Sequence, residues 1–113
     1  MTTYHLPRRP RRLRQNPAIR QLTAETRLAP ADFILPLFVA DGITERREIA
    51  SIPGVYQHTT DTLKAICHEA LEEGIRCVDL FGVPLDEDKD ATGSVAWDPE
   101  GILNRNVRAL REE

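Results

Sequence analysis

The stretch Asp61–Val83, DTLKAICHEALEEGIRCVDLFGV, decides how the rest of the chain is read. Its first half carries Leu63, Ile66, Cys67, Ala70 and Leu71 at the i, i+3, i+4, i+7, i+8 spacing, an apolar stripe along one side of a helix over Asp61–Glu73. Thr59 or Thr60 offers an oxygen to the free amides at its start, Asp61 suits the positive end of the dipole, and Gly74 supplies the left-handed residue that stops it. The period then changes from 3.6 to 2. Alternation over Arg76–Val83 sets Cys77, Asp79 and Phe81 on one face of a strand, with Val78, Leu80 and Gly82 on the other. A helix running directly into a strand is the joint of an α/β protein.

The same order extends in both directions. Ahead of the helix, Phe33-Ile-Leu-Pro-Leu-Phe-Val-Ala40 is apolar on both faces, as a strand buried on both sides is. Pro36 cannot donate to a ladder, so a bulge or an unpaired position is expected there. Between strand and helix, residues 41–58 form a polar excursion that includes a small hairpin, with Pro53-Gly54 at the centre of a type II turn. Behind the second strand, residues 84–97 make a long polar loop. Asp98-Pro99 then has the cap-plus-proline signature of a helix start, and Leu103, Val107 and Leu110 stripe a helix that runs to Glu113. Asn16-Pro17 carries the same signature and predicts a short helix to about Thr26, and Ala29-Pro30-Ala31-Asp32 predicts a turn. Residues 1–14, with Pro7 and Pro10 and no periodicity, predict an extended arm. The chain divides into an Arg-rich arm with a short helix over 1–30 and a first strand with a following βα unit over 31–113. Two such strands cannot close a barrel or bury both faces of a sheet, so the pattern is the opening of a larger α/β fold, whose ligands sit on the β-to-α loops.

Composition narrows the function classes. Apolar residues make up 41% and charged residues 29% of 113, with aromatics only 5%, so Leu, Ile, Val and Ala do most of the packing. No window approaches the roughly 18–20 apolar residues of a membrane-spanning helix. Cys67 and Cys77 are too few for a disulfide scaffold, and no apolar leader core precedes them, which makes the cytoplasm the expected compartment. A mitochondrial presequence is the competing reading of the acid-free N-terminus, and Pro7 and Pro10 oppose the helix it needs. The net charge of −3 conceals an asymmetry: seven arginines and one acid, Glu25, lie within residues 1–27, and the body is acidic. Thirteen arginines stand against two lysines, which favours multidentate pairing with carboxylates or phosphates. An arm of this kind suits nucleic acid or an acidic surface of its own chain or of another copy.

Spacing alone names no active site. Cys67 and Cys77 lack the Cys-x-x-Cys grip of a metal loop, and His5, His58 and His68 share no ligand spacing. Counted as an EF-hand from Asp86, the loop has Asp88 and Asp90 in place, but Ala91 stands where the glycine belongs and Trp97 where the glutamate belongs. A solvated acidic loop is the expectation. Thr92-Gly93-Ser94 is not followed by the Gly-Lys-Ser/Thr of a phosphate loop. Lys64 falls on the polar helix face and Lys89 in the acidic loop, so neither is a catalytic candidate.

Five segments in order carry more. Arg9-Pro10-Arg11-Arg12-Leu13-Arg14, Leu35-Pro36-Leu37-Phe38-Val39, Ser51-Ile52-Pro53-Gly54-Val55-Tyr56, Leu80-Phe81-Gly82-Val83 and Lys89-Asp90-Ala91-Thr92-Gly93-Ser94 together resemble the N-terminal third of the porphobilinogen synthase (delta-aminolevulinic acid dehydratase) family, from about Arg8 onward. The resemblance implies the opening βα units of a (β/α)8 TIM-type barrel, incomplete in this chain, behind an arm that wraps a neighbouring subunit in a homo-oligomer. It implies a lyase of tetrapyrrole and haem biosynthesis that condenses two molecules of 5-aminolevulinate to porphobilinogen with loss of water. Two lysines would form Schiff bases with the substrate ketones, and zinc or magnesium would serve as cofactor. The resemblance places the metal loop and both lysines beyond Glu113, so no catalytic or metal residue is carried onto this chain, which is expected to be inactive in isolation. Phe81 is the one position carried over, resembling a substrate-pocket wall at the C-terminal end of the second strand; the other reading is a barrel-core aromatic. Asp79 on the same face is unusual for a barrel interior. The alternative function is an Arg-rich nucleic-acid-binding or oligomerisation module, against which stand the acidic body and an arm whose one aromatic is Tyr4. With sheet edges and the apolar residues Phe33, Leu35, Leu37 and Phe38 uncovered, the chain is expected to associate with itself or to be poorly soluble.

Overall fold

The computed structural model describes residues 10–113. His5, Tyr4, Arg8, Arg9 and most of the expected extended arm lie outside the described residues. Within them the arm is not extended throughout: Arg12–Arg14 form a 3-10 turn in which the Arg14 amide donates to the Arg11 carbonyl at 3.0 Å. The first helix, α1, covers Pro17–Leu22, shorter than the span to Thr26. Its start is as expected, with the Asn16 side-chain oxygen accepting from the Ile19 amide at 2.9 Å and Pro17 at the first position. The turn at Pro30–Asp32 follows, tied by the Asp32 carboxylate accepting from the Ala29 amide at 2.7 Å.

Strand β1 spans Ile34–Ala40. The excursion is more ordered than a lone hairpin: β2 (Arg47–Glu48) runs antiparallel to β3 (Tyr56–His58), and β3 itself adds to β1 in parallel, pairing Phe38 with Gln57 and Val39 with His58. The hairpin turns at Pro53-Gly54, where the Val55 amide donates to the Ile52 carbonyl at 3.1 Å and Gly54 has a φ of +81°, the type II geometry. The Arg47 guanidinium donates to the Gln57 side-chain oxygen at 2.7 and 3.1 Å, which holds the pair in place.

Helix α2 covers Thr60–Glu72. Thr59 and Thr62 cap each other reciprocally, each hydroxyl accepting from the other's amide, and Gly74 at φ +87° ends the helix. Strand β4, Cys77–Val83, pairs in parallel with the whole of β1, from Ile34 opposite Cys77 to Ala40 opposite Val83. The sheet order is β2-β3-β1-β4, an open sheet.

No bulge occurs at Pro36, which sits in uninterrupted register opposite Asp79. The Asp41 amide donates to the Val83 carbonyl, so by alternation Leu35, Leu37 and Val39 direct their amides toward β4, while Pro36 points its nitrogen to the opposite side. On that side pairing with β3 begins only at Phe38, and the missing donor breaks no bond.

Helix α3 covers Ile102–Arg111. Asp98-Pro99 does not begin it. The Asp98 carboxylate instead accepts from the Glu100 amide at 2.9 Å and its carbonyl accepts from the Gly101 amide, a local turn that leaves Gly101 as the residue before the helix. The buried side also differs from the expected stripe. Leu103 and Leu110 are half-buried, but Ile102 and Asn106 are the buried residues and Val107 is 42% exposed. Asn106 donates to the Ile102 carbonyl at 2.7 Å, which satisfies its amide nitrogen inside the apolar layer.

The core lies between β1 and the two helices: Leu37, Val39, Leu63 and Ile102 are buried, with Leu35, Ile66, Cys67, Leu80 and Leu110 against them. The helices cover the Leu37–Val39 face of β1, and on the other face only the terminal Ala40 is buried. Leu37 and Val39 point into the helices, whereas Ile34 on the other face is 65% exposed, so the expectation of burial on both faces is not met by these residues. Gly82 lets α3 close onto β4: a Cβ built there would meet Leu103 Cβ at 2.9 Å and Ile102 Cγ2 at 3.1 Å. Among the described residues no helix is long and apolar enough to cross a membrane.

Candidate functional site

Parallel strands β1 and β4 end together. The Asp41 amide donates to the Val83 carbonyl at 2.9 Å one residue past β1, aligning the two C-terminal ends. The Asp41 carboxylate then turns to accept from the Gly42 amide at 3.1 Å and from Arg105 of α3 at 2.7 Å. This ion pair joins a strand end to the helix behind it, and both partners are partly buried. A cavity of about 240 Å³ opens at the strand ends, lined by Ala40, Asp41, Gly42, Arg47, Val83 and Lys89.

Phe81 stands two residues before the end of β4, on the sheet face that carries no helix, and is 44% exposed. Its ring stacks on Phe38, its register partner on β1, with centroids 5.3 Å apart and planes 24° apart. Asp79 shares this face, opposite Pro36, and has neither a hydrogen bond nor an ion pair among the described residues. Cys77 is the third residue of the row and is exposed. The alternation read from the sequence thus places these three side chains together. Phe38, which the sequence offered only as part of an apolar run, joins them. The Asp41–Arg105 pair was missed altogether, since no local pattern connects residues so far apart.

The β4–α3 loop is folded around one carboxylate. Asp90 accepts from the amides and the hydroxyls of both Thr92 and Ser94, and these bonds hold its carboxyl far below the usual range, Ser94 contributing most. The acidic loop is thereby organised, with short turns at Asp86–Asp88 and Ser94–Ala96. Lys89 pairs with Asp86, and Lys64 on the outer side of α2 pairs with Glu113 at 3.2 Å. Cys67 is half-buried on the inner side of α2, and burial pushes its thiol up from the ordinary value, which disfavours the thiolate a metal requires. The described residues bring no three His, Cys, Asp or Glu side chains into position around a metal ion.

The family model for delta-aminolevulinic acid dehydratase matches residues 7–113, nearly the entire chain. The chain belongs to the delta-aminolevulinic acid dehydratase family. Relatives of that name include one from Mycobacterium leprae, 56% identical over 93% of this chain and 32% of the relative, and one from Streptomyces coelicolor, 55% identical over 100% of this chain and 35% of the relative. The chain thus spans about a third of the length of the curated relatives it matches. A crystal structure of the dehydratase from Toxoplasma gondii, in complex with the reaction product porphobilinogen, superposes with a TM-score of 0.86 at 36% identity, covering 95% of this chain and 30% of that one. The open four-stranded sheet is therefore a partial α/β fold matching part of a dehydratase barrel, and the nucleic-acid reading of the arm gives way to the family.

Proposed function

We propose that this chain is the arm and opening βα units of a porphobilinogen synthase, the lyase that condenses two molecules of 5-aminolevulinate to porphobilinogen in tetrapyrrole biosynthesis. The observation that carries the reading is the match over residues 7–113, joined to the position of Phe81 at the end of β4 on the helix-free face. Ligands of parallel α/β folds sit at the C-terminal ends of the strands. There the Phe38–Phe81 pair offers an apolar wall to a substrate, and the Asp41–Arg105 bridge fixes the strand end against α3. In the family two lysines supply the Schiff bases. The iminium nitrogen draws electrons from the carbon under attack, so an amine adds more readily than to a ketone. Lys64 and Lys89 are each paired with a carboxylate, Glu113 and Asp86. Zinc or magnesium belongs to the whole enzyme in this reading. The arm's arginines are proposed to fasten a second copy through carboxylates, giving a homo-oligomer.

The test is the full-length protein carrying this sequence, incubated with 5-aminolevulinate. Porphobilinogen formation is expected from it and none from residues 1–113 alone. A full-length protein that makes no porphobilinogen under either metal overturns the assignment. Product from the isolated chain overturns the division of labour.

A further inference from the structure

His58 sits at the last position of β3, opposite Val39, and is 5% exposed. Its Nδ1 is sealed from solvent and has no hydrogen-bond partner among the described residues. A neutral imidazole tolerates this arrangement: with the proton on Nε2, Nδ1 is an acceptor left bare. An imidazolium does not, because both nitrogens then carry hydrogen and a charged donor forms where no acceptor lies.

The groups around the ring come from every element that meets it. Glu45 and Arg46 belong to the segment ahead of β2, Tyr56 lies on β3 with its ring centre 6.4 Å from the imidazole, and Asp61 and Glu69 belong to α2. β1 presents no titratable side chain, its pairing residue being Val39. Burial first, and then the positive charge of Arg46, hold the His58 pKa below its ordinary value. The carboxylates instead line an open cleft of about 590 Å³, in which Glu45, Asp61 and Glu69 outnumber Arg46. A second cavity of about 350 Å³ borders the ring on the β1 side. The ring therefore has room to leave its seat and an acidic cleft in which a positive charge is favoured. The hairpin it belongs to is held to β1 by two register pairs only.

We propose that His58 is a proton-operated latch: neutral, it closes the seam between β3 and α2; protonated, it swings into the acid-lined cleft and loosens the β2–β3 hairpin from the C-terminal end of β1. The direction follows from linkage. The closed state binds the proton less readily than the open one, so closure is complete above the ordinary histidine pKa of 6.5 and weakens as pH falls below it. The opening constant rises by up to about tenfold per pH unit in that window.

Hydrogen–deuterium exchange of the full-length protein at pH 7.5 and 5.5, corrected for the chemical exchange rate, reads this directly. Exchange across β3 is expected to rise several-fold at the lower pH while β4 stays unchanged, the response being absent in His58→Gln and intact in His68→Gln. Equal corrected exchange at both pH values, or a response that survives in His58→Gln, overturns the latch. The imidazole resonances of the unsubstituted protein give an answer independent of that variant's folding: a midpoint below 6.5 supports the latch, and one at or above 6.5 overturns it.

Discussion

Phe38 and Phe81 are register partners on adjacent parallel strands, and their rings stack 5.3 Å apart on the face of the sheet that the helices leave free. Aromatic pairs of this geometry contribute about 0.5–1.5 kcal/mol beyond the area they bury. A double-mutant cycle with Phe38→Leu and Phe81→Leu, followed by urea unfolding of the full-length protein, is expected to return a coupling of about 1 kcal/mol. If Phe81 forms a substrate wall, Phe81→Ala also raises KM for 5-aminolevulinate. Unchanged kcat and KM would restrict Phe81 to packing.

Gly82 is a second site where packing on β4 can be tested. A methyl group there meets Leu103 and Ile102 closer than ordinary contact distance, and α3 must shift to admit it. Gly82→Ala is expected to destabilise the protein by about 1–3 kcal/mol, the usual range for overpacking. Denaturation midpoints check it, and a neutral effect would mean that α3 rides freely over the strand.

The Asp41–Arg105 bridge is partly exposed, which limits what it contributes. Arg105→Lys loses the planar fork but keeps the charge, and Asp41→Asn keeps the shape but loses the charge. Each is expected to lower stability by about 1 kcal/mol or less, as partly exposed pairs do. Their combination should be less than additive in a thermal melt.

Asp90 predicts how the β4–α3 loop responds to acid. Its carboxyl is depressed below the ordinary value of 3.8, so the order it confers is fully present above that value and is lost as pH falls through the lower folded value. Fluorescence of the exposed Trp97, the one tryptophan in the chain, is expected to stay constant from pH 7 to about 4 and change below. Asp90→Ala should show the acid-like signal already at neutral pH. A flat wild-type trace at low pH would remove Asp90 as the organising group.

The arm gives a prediction in ionic strength. If its arginines fasten a second copy, deleting residues 1–14 shifts the sedimentation profile toward smaller species, and raised salt does the same by screening the pairs. A stable monomer indifferent to both changes would separate the arm from assembly.

Much of the frame was legible because it is local. The Thr59 cap, the Gly74 stop, the alternation of Cys77, Asp79 and Phe81 and the stripe of Leu63, Ile66, Cys67 and Ala70 each depend on neighbours a few residues away, and the structure reproduces them, whereas Leu71, expected in the stripe, lies at its edge and is exposed. What failed involved competition between local signals or distant pairing. Asp98-Pro99 has the letters of a helix start, but the Asp98 carboxylate was satisfied sooner by the Glu100 amide. β3 is three residues long and became a strand because β1 offered it a partner, which no periodicity announces. The site was less legible still. Phe81 stood out through family resemblance, whereas its contact with Phe38 and the bridge from Asp41 to Arg105 depend on the three-dimensional register of β1 with β4 and on where α3 lands.

Pro36 bears on the order of events during synthesis. A chain made from its N-terminus completes β1 and β4 early, and a strand pair with a bare side invites whatever extended segment emerges next. A proline halfway along that side leaves a gap where an incoming nascent strand needs a donor. The stretch beyond the gap, at Phe38 and Val39, is already taken by β3. The growing polypeptide is therefore denied a continuous template on that flank of β1, and a premature partner would have to do without the bonds that make such pairing persist. Replacing Pro36 with valine would restore that template, with its consequence appearing in the yield of correctly folded newborn chains before any change in the finished fold.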